Sequence, residues 1–496
     1  MGQGGSRFFD TVLRHFGAVA HLREVQIAVR PIERFESVLG RESMHAALGV
    51  ADEMRERLAG RVVWNVNSTD VGGGVAEMLR PLLGYARSVG VDARWVVING
   101  NSDFFHITKR VHHALHGSEG DGSKLGVAER QSYERTLRDN AIELGALVRP
   151  GDIVLLHDPQ TAGLAEHLMR GGAHVVWRCH IGCDSPNEEV ERGWDFLYPY
   201  TKDVPAFIFS RDAYIPEYCD HGKSTVIQPS IDAFSAKNEE LTEDAVRTFL
   251  VHVGLVEGPD PDPSDHGFVR EDGSPGRVTH RADVVRLGRA PSWDTPLVVQ
   301  VSRWDPLKDM IGVLRGFARL HNGSAPAGAH LVLAGPNVKA VADDPEGAQV
   351  FAEVVEEWRG LPHAIRDHIH LASLPTTDVE ENAVIVNALQ RHAAVVVQKS
   401  LHEGFGLTVT EAMWKARAVV ASAVGGIQDQ IEDGQSGILL KDPENLDDFA
   451  EALRGLLENP AAAARLGAAA KQRVREHFLG VRHLVQYAQL FERFLG

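Results

Sequence analysis

The stretch Gln398-Lys-Ser-Leu-His-Glu-Gly-Phe-Gly-Leu-Thr-Val-Thr-Glu carries the strongest chemical signal in the chain. An apolar run ends there, a glycine-flanked turn follows, and a helical pattern begins. Gly404 and Gly406 let backbone N–H groups approach a ligand closely, so Gly404, Phe405, Gly406 and Leu407 form a candidate anion cradle. The positive end of the helix behind them suits a diphosphate. Glu403, on the turn, can accept hydrogen bonds from sugar hydroxyls. Glu411 has two readings: a second ligand-binding carboxylate, or the third helical residue of a capping box, Thr408-Val-Thr-Glu411. Upstream, Val301-Ser-Arg-Trp-Asp-Pro-Leu-Lys places Arg303 and Lys308 just beyond a predicted strand. Arg binds phosphate oxygens bidentately and Lys is a mobile point charge. Aimed at charge that grows as a glycosidic bond breaks, the two are electrostatic catalysts. Without the glutamate motif they would read as solvated loop cations.

The first half offers complementary groups. Trp64-Asn-Val-Asn-Ser-Thr-Asp-Val-Gly-Gly-Gly-Val-Ala-Glu reads as a strand, a glycine turn and a helix start, with Gly72, Gly73 and Gly74 permitting tight contact with phosphate or sugar. It has neither the GxGxxG spacing of a dinucleotide site nor the lysine of a P-loop, which argues against an oxidoreductase or an NTPase. Asp158 and His180 fall at predicted strand ends and are candidates for binding a polyhydroxylated ligand. Cys179, His180, Cys183, Cys219 and His221 admit zinc as an alternative, but their spacing matches no common paired-ligand signature, and no metal is expected. Phe104 and Phe105 are assigned to packing.

These residues need a scaffold. Runs at 61–66, 93–98, 152–156, 174–177, 206–209 and 224–227 read as buried parallel strands, separated by amphipathic helices such as 75–88, 128–147 and 161–169. A second series follows at 297–301, 330–334, 368–372, 394–398, 418–421 and 437–440. The fold class is therefore α/β, with two doubly wound halves whose ligands sit beyond the carboxyl ends of the strands. Between them, about 236–292 is rich in Pro, Gly and acid and reads as a linker with a solvated insertion.

The 496 residues carry 51 Lys+Arg against 68 Asp+Glu, a formal charge of -17, which leaves no broad cationic surface for nucleic acid. Three cysteines in so long a chain suit a reducing, cytoplasmic setting. No secretory leader or membrane-spanning segment is expected.

Taken together, Gly73-Gly74, Arg303, Lys308 and the pair Glu403 and Glu411 resemble glycosyltransferase family 4, retaining enzymes of the GT-B fold. The spacing Arg, four residues, Lys, and then Glu, seven residues, Glu, is intact. Segments such as Trp177-Arg-Cys-His and Val424-Gly-Gly-Ile-Gln-Asp-Gln-Ile are similar to its trehalose-forming branch. The resemblance implies two Rossmann-like domains facing across a cleft: an acceptor-side domain at 1–235, a nucleotide-sugar domain at 293–475, and a helix at 476–496 that crosses back to the first domain. It implies that Arg303 and Lys308 hold the donor diphosphate, Glu403 the donor sugar and Glu411 the ribose. Leu374, expected in the loop after 368–372, would border the base. Gly73, Gly74 and His180 would face the reacting sugars, and Asp158 would bind the acceptor.

The expected substrates are a nucleotide-activated glucose and free glucose, giving trehalose with retention, without cofactor or metal. A homodimer is the candidate assembly. A retaining trehalose phosphorylase, a family 4 transferase with another acceptor and a non-catalytic sugar-binding protein are the alternatives.

Overall fold

The computed structural model describes residues 22–71, 73–259, 261–262, 266–320, 328–338 and 345–495. Gly72 of the expected glycine turn lies outside them. The chain divides into two compact units, Met1–Gln228 with Leu484–Gly496, and Pro229–His483.

The first unit holds β1 (Arg23–Glu24), β2 (Val63–Asn67), β3 (Ala93–Val97), β4 (Ile153–His157), β5 (His174–Cys179), β6 (Ala206–Phe209) and β7 (Ser224–Val226). They form one sheet in the order β1-β3-β2-β4-β5-β6-β7. Every residue of β2 and of β4 is buried, as continuous apolar runs require when helices cover both faces of a parallel sheet. All neighbours are parallel except β1, which lies antiparallel on β3. Strand order reverses between β2 and β4, which pair directly, Val66 opposite Leu156. The glycine turn follows the first of these strands and Asp158 the second.

The helix Gly480–Leu495 supplies part of this unit's core. Tyr487, Ala488, Leu490 and Phe491 cluster with Val63, Ile153, Leu155, Val176 and Ile208 on one face of the sheet. Arg178 of β5, fully buried, donates to the Tyr487 hydroxyl and to the Ile227 carbonyl, so a polar tie accompanies the apolar one.

In the second unit, β8 (Gly267–Val269) and β9 (Pro275–Arg277) form a hairpin. A seven-stranded sheet contains β10 (Asp283–Val285), β11 (Leu297–Val301), β12 (His330–Pro336), β13 (Ile369–Leu374), β14 (Val395–Gln398), β15 (Ala418–Ser422) and β16 (Ile438–Leu440). Its order is β10-β13-β12-β11-β14-β15-β16, parallel apart from β10 on β13. Here the order reverses between β11 and β14.

Much of the described part of the 236–292 stretch differs from the solvated linker and insertion that its composition suggests, because it is bound to the second unit. Helix Glu243–Val253 packs on helix Val379–His392, and β10 extends the sheet. The hairpin is fastened by acids at the start of helix Val379–His392. Arg270 pairs with Asp378, the Glu271 N–H donates to Glu380 at 2.7 Å, and the buried Glu381 receives the His280 N–H at 2.8 Å and the His280 ring at 2.7 Å. Polar composition here reflects side chains and backbone that satisfy one another.

Cutting Leu490, which is almost wholly buried, to alanine removes core contacts from β4 and β5. Hydrogen exchange of the amides in those strands is expected to report a loss of about 2 to 5 kcal/mol. Unchanged protection would show that the C-terminal helix does not belong to this core.

Candidate active site

The reversal between β11 and β14 places two loops side by side, and both carry the residues singled out from sequence. After β11, Asp305 starts a tight turn: its carboxylate accepts the Leu307 N–H at 2.9 Å and its carbonyl the Lys308 N–H at 2.9 Å. The turn is tied to the neighbouring loop by the Leu401 N–H, which donates to the Leu307 carbonyl at 2.8 Å. Lys308 Nζ then meets Glu403 Oε2 at 2.6 Å, and the Ser400 hydroxyl donates to the same oxygen at 3.1 Å. Arg303 stands beside them with its side chain 70% exposed and one guanidinium nitrogen 3.0 Å from Asp305 Oδ2. A cation and a carboxylate are thus held in contact while a second cation reaches outward. A ligand with an anionic part and a hydroxylated part can engage all three.

Glycine conformations shape the next turn. Gly406 has φ +82° and precedes helix Leu407–Trp414 as its N-cap. Gly426 N–H donates to the Gly404 carbonyl at 2.9 Å. A Cβ on Gly425 would stand 1.8 Å from the Glu403 carbonyl oxygen, so that glycine fixes how closely the loop after β15 supports the Glu403 backbone. Sequence reasoning assigned Gly425 no role, although Val424-Gly-Gly after an apolar run is the available signal. Phe405 is buried, with its ring 6.0 Å from that of Phe478. Its carbonyl accepts from Gln430 at 2.5 Å, so both its ring and its backbone tie the turn to neighbouring elements.

The capping-box alternative for Glu411 does not hold. The helix starts after Gly406, Thr408 is already inside it, and the Thr408 hydroxyl donates to Gln398 Oε1 at 3.0 Å. Glu411, almost wholly buried, lies 3.6 Å from Lys237 Nζ. Lys415 Nζ is bound to the Glu411 carbonyl and to Asn238 Oδ1, both at 3.1 Å, and burial holds the Lys415 pKa below the ordinary lysine value. One lysine thus stands at the Glu411 carboxylate and the other at its backbone carbonyl. Lys237 and Lys415 were not anticipated, because one lies in the supposed linker and the other reads as a helix-end cation.

Leu374 also differs from expectation. It is the last residue of β13, not part of the following loop, and is 1% exposed. Its carbonyl receives the Asn337 N–H at 2.9 Å.

In the first unit, Gly73 has φ +81° and caps helix Gly74–Ser88. Asp158, directly after β4, also sits in the left-handed region at φ 62°, a conformation that Asp tolerates better than most residues. Its Oδ1 accepts the His180 N–H at 2.8 Å and its carbonyl the Trp177 indole N–H at 3.1 Å. The Asp158 residue keeps some surface open to solvent, yet surrounding protein crowds its carboxyl. Desolvation raises its pKa to about 7 against the opposing pull of the His180 N–H and Arg178.

His180 forms a chain with residues that the sequence did not mark. His157, buried beneath it with stacked rings, has its pKa pushed down to about 3 by burial and then by Arg178, so it is neutral near pH 7. His157 Nε2 lies 3.1 Å from Asn65 Oδ1, an acceptor, which puts the His157 proton on that nitrogen. His157 Nδ1 must then accept from His180 Nε2, 3.0 Å away. This fixes both orientation and tautomer of His180. The zinc alternative finds no support in the arrangement: the Cys179 thiol donates to the Ile181 carbonyl, and the described residues contain no cluster of three or more ligand-type side chains placed to hold a metal. Phe104 is core, stacked on Tyr133.

A carboxyl whose pKa rises from 3.8 unfolded to about 7 folded binds more protons in the folded state, so its contribution to stability is present below about pH 4 and lost as pH rises through 7. Asp158→Asn keeps the acceptor oxygen and the left-handed backbone without the charge. Its melting temperature relative to the parent is expected to increase between pH 5 and pH 8. A difference independent of pH would contradict the assigned protonation.

Comparison with known proteins bears on this geometry. Residues 65–216 match the family described as trehalose synthase, N-terminal domain, and residues 290–473 the family of group 1 glycosyl transferases. The trehalose synthase of Pyrococcus horikoshii is 34% identical over 96% of this chain and 99% of its own, and that of Rubrobacter xylanophilus is 34% identical over 96% and 100%. Among solved structures, an alpha,alpha-trehalose-phosphate synthase (UDP-forming) from Burkholderia xenovorans in complex with glucose-6-phosphate superposes with a TM-score of 0.63. It is 16% identical and covers 88% of this chain and 100% of its own, a likeness that speaks for the fold. With two sheets of seven strands and ligand-type residues at their switch points, the chain belongs to the trehalose synthase family of GT-B glycosyltransferases.

Proposed function

We propose that this chain is a retaining hexosyltransferase that moves glucose from a nucleoside diphosphate glucose to free glucose, forming trehalose. The observation that carries this reading is the contact of Lys308 with Glu403 at 2.6 Å beside the exposed Arg303, at the switch point of the second sheet. Those groups match the two halves of a sugar diphosphate. Lys308 and Arg303 take the phosphate oxygens, and Glu403, already desolvated and oriented by Ser400, takes sugar hydroxyls. Glu411 takes the ribose diol. In the first unit, His180 and Asp158 hold the acceptor.

The mechanism follows from what charge must do. As the anomeric carbon parts from the phosphate oxygen, negative charge accumulates on the diphosphate, and fixed cations lower that barrier without reorganising. The acceptor hydroxyl attacks from the side the phosphate leaves. The departing oxygen takes the hydroxyl proton, so configuration is retained without a covalent enzyme intermediate. The two lysine and arginine charges do the work that a divalent ion does at other phosphate sites, so turnover is expected to persist in excess chelator.

Arg303→Ala or Lys308→Ala is expected to lower turnover about a hundredfold or more, as for loss of one charge-stabilising donor, while the fold is retained by circular dichroism. The reading itself is tested by incubating the protein with ADP-, UDP- and GDP-glucose, with and without free glucose. Trehalose formed only when both substrates are present supports it. Trehalose formed only from glucose 1-phosphate would instead identify a phosphorylase.

A further inference from the structure

The proposed transfer leaves one charged residue of this region without a task. Lys399 follows the last residue of β14, and none of its side chain reaches solvent. An ammonium group in such a place is costly unless an anion meets it. The anion is Asp309, the residue directly after Lys308. Asp309 occupies the left-handed region at φ 47°, which for a residue other than glycine must be imposed by its surroundings. Its other oxygen accepts the Gly312 N–H at 3.0 Å and so starts helix Met310–Leu320.

A second tie runs through the same two loops. Gln300, buried in β11, donates from Nε2 to the Lys308 carbonyl at 2.7 Å and accepts the Lys399 N–H at 3.2 Å. The strand that ends beside Lys399 is apolar, Val395-Val-Val, and packing there does not call for a cation. What the lysine and aspartate jointly fix is the backbone on the far side of Lys308.

We propose that Lys399 is a positioning residue: through Asp309 it holds the Pro306–Asp309 turn in the conformation that aims Lys308 at a diphosphate. The proposal rests on the reading of this site as a diphosphate site. It separates charge that touches the ligand from buried charge that acts only through another residue.

The test uses the full chain and two readouts, affinity for inorganic pyrophosphate by calorimetry and transfer of glucose. Lys399→Met alone strands Asp309 without its cation and compromises folding, so the deciding variant is Lys399→Met with Asp309→Asn, which removes both charges and keeps the Gly312 cap. Its thermal transition is expected to stay near that of the parent. Pyrophosphate affinity and turnover are each expected to fall about tenfold or more, as misplacement of a binding group does, with KM for free glucose unchanged. Lys399→Arg, which retains the charge, is expected to preserve both. Parent-like pyrophosphate affinity in the folded double variant would overturn the proposal, because a purely structural pair would be replaced without functional loss. If the parent binds pyrophosphate but forms no disaccharide, the proposed transfer fails while the pyrophosphate comparison still decides the role of Lys399.

Discussion

The contact between Lys308 and Glu403 is the interaction from which the site is built. Neither group would be placed where it is by side-chain preference alone. Each lies on a loop at the carboxyl end of a buried strand, and β11 and β14 are neighbours only because strand order reverses there. That reversal opens a crevice at the strand ends and brings loops distant in sequence to one rim. The contact already holds both side chains largely out of water, so a sugar diphosphate exchanges one set of polar partners for another and does not have to strip water from each.

The rest of the second unit serves this placement. Gln300, Asp309 and Lys399 hold the cationic turn from below, and Ser400 and Gly425 hold the carboxylate turn from the side. Glu411 has its own pair of lysines, one from a segment bound across helices Val379–His392 and Leu407–Trp414. The first unit follows the same plan with different chemistry. At its reversal point the glycine turn and Asp158 emerge side by side, and the chain Asn65, His157, His180 sets a ring by hydrogen bonds in place of ion pairs.

Much of this was legible in the sequence because continuous apolar runs have one main explanation when helices alternate with them. The twelve expected strands are all present, with ends that match or are shifted by at most two residues. Arg303, Lys308, Glu403 and the glycine turn were visible because their residue types are unusual directly after such runs. Elements specified by partners were not visible. β1 and β10 are two and three residues long and join their sheets as antiparallel edges, without any periodicity of their own. The acidic 236–292 stretch reads as solvated because sequence does not reveal that Asp378, Glu380 and Glu381 bind its backbone and side chains. Lys399 and His157 escaped notice for a related reason: a charged or titratable residue at a strand end looks like any other rim residue until its burial is known. Leu374 was assigned to a loop because β13 runs two residues further than its apolar core implies.

The central claim, that fixed cations of the second unit receive the diphosphate, is tested most directly by a crystal structure of the protein with a bound nucleoside diphosphate. The account predicts that Arg303 and Lys308 each lie within about 3 Å of phosphate oxygens, with Glu411 on the ribose. A nucleotide bound elsewhere, with Lys308 still paired to Glu403, would contradict it.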